Sequence, residues 1–283
     1  MPNKREVTES LEAGKIDEDN IKVIIHAHAQ KYPQYNKIEL TKLNKNELNQ
    51  TIDKILANHS DGQNPFHQII AQMDNSAHVT TLDLKITIEN DGQKKISLIN
   101  LDAAGVPEVS GPILELAADR QDVSVINICC PSGPREGLQK TMTDCPVFAL
   151  DHAMVAQKID LHEYIENLPV SAVENISSSV QFVDWKDMPP EVYRNVQRDD
   201  QWEAYKKHQA KRYNNVVDSQ HDEYRQAHKS SESEYGPGNI IPQFRKTLTA
   251  DAQRFMKEVG DQEFVEIFED PLYNQPSVDN SFI

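Results

Sequence analysis

The feature that most limits what this chain can fold into is a pair of β-branched, alternating runs on either side of a turn. His78 opens HVTTLDLKITI, NDGQKK supplies the turn residues, and ISLINLD runs back to Asp102. Asn, Asp and Gly between two alternating runs specify a β-hairpin. After a GVPEVSG turn, PILELAADR reads as a short helix, VSVINICC as a buried strand, PSGPREG as a loop, and DCPVFALDHAMVAQKI as a helix starting near Cys145. Upstream, NIKVIIHAHAQ (20–30) has helical spacing and KYPQYN stops it, because proline disfavours helix in the residue before it. Residues 38–43 read as a short strand. KNELNQTIDKILANH (45–59) sets Leu48, Ile52, Ile55 and Leu56 on one helix face, with DGQNPF as its loop exit. Strands and helices interleave from about residue 20 to 170, which predicts an α+β fold around a central mixed sheet.

The flanks differ. Residues 1–18 are polar, lack sustained periodicity and are expected to form a frayed tail. Beyond Leu168, residues 186–229 hold nine Lys or Arg against eight Asp or Glu, while the whole chain of 283 residues has 29 against 45, a net charge of -16. That balance opposes binding to phosphate backbones and anionic membrane, so no nucleic-acid partner is expected. SSESEYGPGN reads as a polar loop, LTADAQRFMKEV as a last helix, EVGDQEFVEIFED as a solvated helix face, and PLYNQPSVDNSFI as a disordered tail. No run approaches the roughly 18 apolar residues of a membrane span, and MPNKREVTESLEAG lacks the apolar region of a secretory signal. Three cysteines, two of them the adjacent Cys129 and Cys130, do not make a disulfide framework, and a reducing compartment fits.

Chemistry concentrates at Cys145. An aspartate precedes it and an apolar helix follows, so its sulfur sits at a helix N-terminus, where the dipole and unpaired amides favour a thiolate; it is expected to be exposed at a cleft. Position alone describes a small buried residue better, since cysteine is so commonly buried, as Cys129 and Cys130 are in their apolar strand. His78 begins a strand whose partner can present Asp102 beside it. An aspartate so placed holds the imidazole while the histidine takes the thiol proton. Among ten histidines, His152 lies seven residues after Cys145 on the same helix face, so spacing leaves the base open between His78 and His152. Gln139 by itself reads as loop polarity, and no metal site is expected.

Five segments in order resemble the YopJ family of bacterial effector serine/threonine/lysine acetyltransferases. HVTTLDLK resembles its His-x-x-x-x-Asp-x-Lys strand, and SLINLDAAG with SGP shortly after resembles its acid-bearing strand. LQKTMTDCPVFALDHA resembles its Gln-x-x-x-x-Asp/Glu-Cys-Gly-x-Phe segment. IIHAHAQKYPQYN resembles a family helix ending in Lys-Tyr-Pro, and MPPEVYRNVQ its Leu-Pro-x-x-Phe/Tyr-Lys-His-x-Gln motif. Together they cover about residues 20 to 210.

The resemblance implies a clan CE cysteine protease-like sheet flanked by helices, with a smaller, mainly helical regulatory region. The implied boundaries are a tail at 1–18, a catalytic domain at 19–170, a regulatory region at 171–270 and a tail at 271–283. His78 becomes the general base, Asp102 the orienting acid, Cys145 the nucleophile and Gln139 the oxyanion-hole donor. Acetyl-CoA is the implied co-substrate, host signalling proteins such as kinases the implied acceptors, and delivery into the host cytoplasm by a specialised secretion system the implied route. Inositol hexakisphosphate is the implied activator, with Arg194, Lys206, Lys207, Lys211, Arg212, Arg245 and Lys246 as its candidate cations.

Three features depart from the family pattern. Pro146 replaces the glycine after the cysteine, Asp102 replaces the commoner glutamate, and Arg194 with Asn195 replaces the Lys-His pair. The same order of His, acid, Gln and Cys also serves thiol proteases of ubiquitin-like modifiers, which is the alternative activity. A catalytically impaired host-binding protein is a third reading.

Overall fold

The computed structural model describes residues 1–73, 78–105, 107–129, 137–139, 144–229 and 240–269. The loops expected at 131–136 and 230–239, the tail expected at 271–283, and Cys130 lie outside them.

The expected hairpin forms the middle of a seven-stranded mixed sheet. Its strands are β1 (Glu39–Lys42), β2 (Phe66–Gln72), β3 (Val79–Ile88), β4 (Lys94–Leu101), β5 (Val123–Cys129), β6 (Val173–Asn175) and β7 (Val180–Asp184), in the order β1-β2-β3-β4-β5-β7-β6. β3 and β4 pair antiparallel with Thr81 opposite Leu101, and Gly92 takes φ 83° in the turn between them. The β1–β2, β4–β5 and β5–β7 pairs are parallel. Helices α3 (Lys45–Asn58) and α4 (Pro107–Asp119) make the first two parallel crossovers. The turn expected over 105–111 is mostly helix, because α4 already begins at Pro107, whose fixed φ suits a first helical turn.

Helix α5 (Cys145–Ala156) packs across β3 and β2, and Thr81 Oγ1 donates to Ala149 O at 2.6 Å, which sets its depth. Beyond it come α6 (Leu161–Glu166), α7 (Pro190–Tyr193), α8 (Asp199–Tyr213), α9 (Ser219–His228), α10 (Ile241–Glu258) and α11 (Asp261–Glu269).

Two expectations at the ends change. Residues 4–12, expected to fray, form helix α1 (Lys4–Glu12), which Asn3 caps by accepting from the Arg5 N–H; Val7 and Leu11 bury one turn apart against α10. The acidic segment near the C-terminus is solvated on one face only, since Phe264, Ile267 and Phe268 of α11 pack on α2 (Glu18–Lys31). One apolar cluster runs from Val7 and Leu11 through Ile25, Leu101 and Phe148 to Phe255 and Phe268, so the segments before and after residue 170 share a core. Leu11→Ala should therefore cost about 3 kcal/mol in urea denaturation, as for other fully buried leucines. A free tail would show no change.

Candidate active site

The antiparallel register brings the start of β3 beside the end of β4, and Cys145 at the N-terminus of α5 meets His78 just before β3. A buried polar ladder holds that register. Thr80 Oγ1 donates to Asn100 Oδ1 at 2.9 Å, Asn100 Nδ2 to Asn127 Oδ1 at 2.7 Å, and Asn127 Nδ2 to Ser110 Oγ at 2.9 Å, joining β3, β4, β5 and α4.

His78 Nδ1 lies 3.0 Å from Cys145 Sγ, His78 Nε2 lies 3.1 Å from Asp102 Oδ1, and Gln139 Nε2 donates to Cys145 Sγ at 3.0 Å. The four residues predicted as the centre thus lie together, with His78 and Gln139 on the Cys145 sulfur and Asp102 on the far side of the His78 ring. Asp102 Oδ1 also accepts from the Ala104 N–H at 3.1 Å, which fixes the carboxylate in its turn. The Gln139 segment is pressed against the same turn. Gln139 N–H donates to Ala103 O at 3.0 Å, and a Cβ on Gly137 would fall 2.5 Å from that oxygen, so only glycine fits there.

Cys145 is 5% exposed, where a cleft position had been expected. Burial opposes the His78 imidazolium, but hydrogen bonds to Asp102 and Cys145, with the charges of both, outweigh it and push His78 up to about 10. The structure therefore favours an imidazolium donating towards both the sulfur and the carboxylate. His152 has a different setting. Fully buried and stacked on Trp185 with ring centroids 5.3 Å apart, it is pushed down to about 4 by desolvation and belongs to the core. Among the described residues, no group of three or more His, Cys, Asp or Glu could hold a metal ion, and no helix is long and apolar enough to cross a membrane.

Several of the candidate polyanion cations face acids or an aromatic ring. Lys206 faces Asp222 and Glu203, Arg212 faces Asp187, Arg245 faces Asp144, and the Arg194 guanidinium stacks 4.2 Å from the Tyr224 ring centroid. Lys207, Lys211 and Lys246 are exposed, the first two one turn apart on α8.

The expected regulatory motif contributes contacts that residue types alone did not reveal. Gln197 N–H donates to Leu138 O at 3.2 Å, and Gln201 Nε2 to Gly137 O at 3.1 Å, bracing the Gln139 segment from α8. Asn195 Nδ2 donates to buried Asp151 of α5. Arg225, 2% exposed, donates to Arg194 O and to Val196 O (2.8 Å) and pairs with Asp199, which locks the motif's loop.

A cysteine sulfur with an adjacent imidazole, a carboxylate on that ring and a neutral amide donor is an arrangement that can support nucleophilic acyl transfer. The chain belongs to the YopJ serine/threonine acetyltransferase family, whose model matches residues 2–252. No curated protein sequence matches it. Among solved structures it is similar to the crystal structure of HopZ1a in complex with IP6, at TM-score 0.60 and 14% identity over 90% of this chain and 93% of that one. The crystal structure of HopZ1a in complex with IP6 and CoA is similar at TM-score 0.54 and 14% identity, over 90% and 97%. At that identity the likeness is one of fold.

Proposed function

We propose that this protein takes an acetyl group from acetyl-CoA onto Cys145 and passes it to a serine, threonine or lysine side chain of a host signalling protein, with protein kinases as the acceptor class to test first. The observation that carries the reading is the buried convergence of His78, Gln139 and Cys145, each contact 3.0 Å, in a chain of an acetyltransferase family. YopJ-family effectors are delivered into host cells, which supports acceptors in the host cytoplasm.

Acetyl-CoA supplies the acyl group as a thioester. Cys145 Sγ attacks the acetyl carbon while the Gln139 amide donates to the carbonyl oxygen as it gains charge, a contribution of roughly 3 kcal/mol in a dry site. The carbon–sulfur bond to CoA breaks and the departing thiolate takes the His78 proton. In the second half, His78 accepts the proton of the acceptor hydroxyl or amine as that group attacks acetyl-Cys145, and the Cys145 thiolate leaves. Asp102 holds the ring in place through both halves. Pro146, lacking an N–H, offers no second donor there, which raises the share carried by Gln139.

The direct test is incubation with labelled acetyl-CoA and candidate kinases, beside a conjugate of a ubiquitin-like modifier. Label on the kinase with the conjugate intact supports acetyl transfer. Cleavage of the conjugate without label supports the thiol protease instead, and neither outcome would leave a binding protein.

HopZ1a was solved with IP6, and the exposed cations here suit the same compact polyanion: Lys207 and Lys211 on one face of α8, with Lys246 on α10. Lys206, Arg212 and Arg245 already face carboxylates and are poorer candidates. Inositol hexakisphosphate should raise the Tm, since a ligand at about a hundred times its Kd adds about 2.7 kcal/mol to the folded state, and the gain should shrink with salt. Lys207→Glu with Lys211→Glu should remove both that shift and any stimulation of acetyl transfer. An unchanged Tm at saturating ligand would remove the polyanion from the scheme.

A further inference from the structure

Asp144 directly precedes Cys145 and is 2% exposed, yet its carboxylate does not cap α5, the helix it opens. It turns away instead. Oδ2 accepts from Gln197 Nε2 at 2.7 Å and Oδ1 pairs with the Arg245 guanidinium, while the Asp144 carbonyl accepts from the Val147 and Phe148 N–H groups at 3.0 and 3.1 Å. Its two anchors come from distant parts of the chain. Gln197 ends the loop after α7 and also grips Leu138 O, one residue before Gln139; Arg245 sits in the first turns of α10, whose other face packs on α1 and α2.

A buried carboxylate one residue from a sulfur that must carry negative charge works against the thiolate unless a cation answers it. Arg245 is that cation. Among the described residues, the charged and titratable groups around the N-terminal half of α5 are His78 from the start of β3, Asp102 from the end of β4, Asp144 and Arg245, with Asp151, which feels the charge of Arg194, and His152 further along the helix. Within this set Arg245 alone comes from the C-terminal helices.

We infer that Arg245 and Gln197 are positioning residues for Cys145. Docking of α10 neutralises and holds Asp144, so the thiolate and the Gln139 donor are set in place only when the C-terminal helices are seated. This rests on the reading of Cys145 as nucleophile, and it makes the part of the chain beyond residue 170 a condition of reactivity at the sulfur.

The test reads the sulfur itself, so it stands apart from whether acetyl-CoA is the donor. The full-length protein is alkylated with iodoacetamide across a pH series, and the rate is followed on the tryptic peptide of residues 141–158, which carries Cys145 and neither other cysteine. Arg245→Gln should move the midpoint of that profile up by about one pH unit, close to a tenfold loss of rate at any pH below the wild-type midpoint. Arg245→Lys keeps the charge and should return most of the rate. Adding Asp144→Asn to Arg245→Gln removes the uncompensated carboxylate and should bring the midpoint back near wild type, a rescue that repair of packing alone would not produce. A wild-type profile for Arg245→Gln, or a double variant as slow as the single one, would overturn the inference. If wild type alkylates as expected but never accepts labelled acetyl, the acetyltransferase reading fails while the positioning role stands.

Discussion

Cys145→Ala should reduce acetyl transfer to background, a loss of at least about ten-thousandfold, with the circular dichroism of the folded protein retained. Removing the nucleophile of an acyl-transfer centre eliminates the covalent route, and what remains is the binding and oxyanion contribution. The fold should survive because only a sulfur atom is lost. Although Cys145 is buried, deleting one heavy atom from such a site costs about 1 kcal/mol. Full activity of the variant would remove Cys145 from the mechanism.

His78→Ala should come next, with a loss of about a thousandfold, because the partner that holds and moves the proton is gone. Asp102→Ala should be milder by roughly a hundredfold, since the orienting acid assists the base without replacing it. The pH profile gives a second readout. Burial alone would lower His78, and the hydrogen bonds and charges of Asp102 and Cys145 raise it to about 10. The imidazolium is therefore kept below about pH 10 and lost above it. Without Asp102 that support weakens, and the alkaline limb of the activity profile should move down towards neutral pH. His152 is the control: as a buried ring stacked on Trp185, its removal should lower stability. Activity surviving His78→Ala but lost in a stably folded His152→Ala would mean that the wrong histidine has been assigned.

Much of the centre of the fold could be read from residue patterns, and the reasons are local. The hairpin of β3 and β4 announces itself by alternation and by Asn-Asp-Gly, and the helices α2, α3 and α5 by their apolar spacing. β2 is less visible. FHQIIAQ lies inside the sheet, its middle residues buried, and it follows a polar loop with no alternating pattern to mark it. α1 escapes notice because only Val7 and Leu11 of KREVTESLE face the core, and two apolar residues one turn apart do not make a period.

At the site, the hairpin implied that His78 and Asp102 could meet, but spacing did not choose between His78 and His152. Proximity favours His78, whose Nδ1 lies 3.0 Å from the sulfur, while the His152 ring stacks on Trp185. The contacts of Asp144 with Gln197 and Arg245 lie beyond pattern reading. Arg245 is 101 residues from its partner, and on its own helix it looks like one more solvated cation. Residue types also say little about the polyanion candidates. The resemblance implied a basic pocket without saying which cations are free for it, and several of them already face neighbouring acids.

The central claim is that the acyl group passes through a thioester on Cys145, and one measurement addresses it directly. The protein is mixed briefly with acetyl-CoA and inositol hexakisphosphate without an acceptor, quenched in acid, digested and examined by mass spectrometry. The expected result is one acetyl group on the peptide of residues 141–158, removed by hydroxylamine and missing in Cys145→Ala. Acetylated acceptor proteins formed at the wild-type rate by Cys145→Ala, with no thioester on that peptide in the wild type, would contradict it.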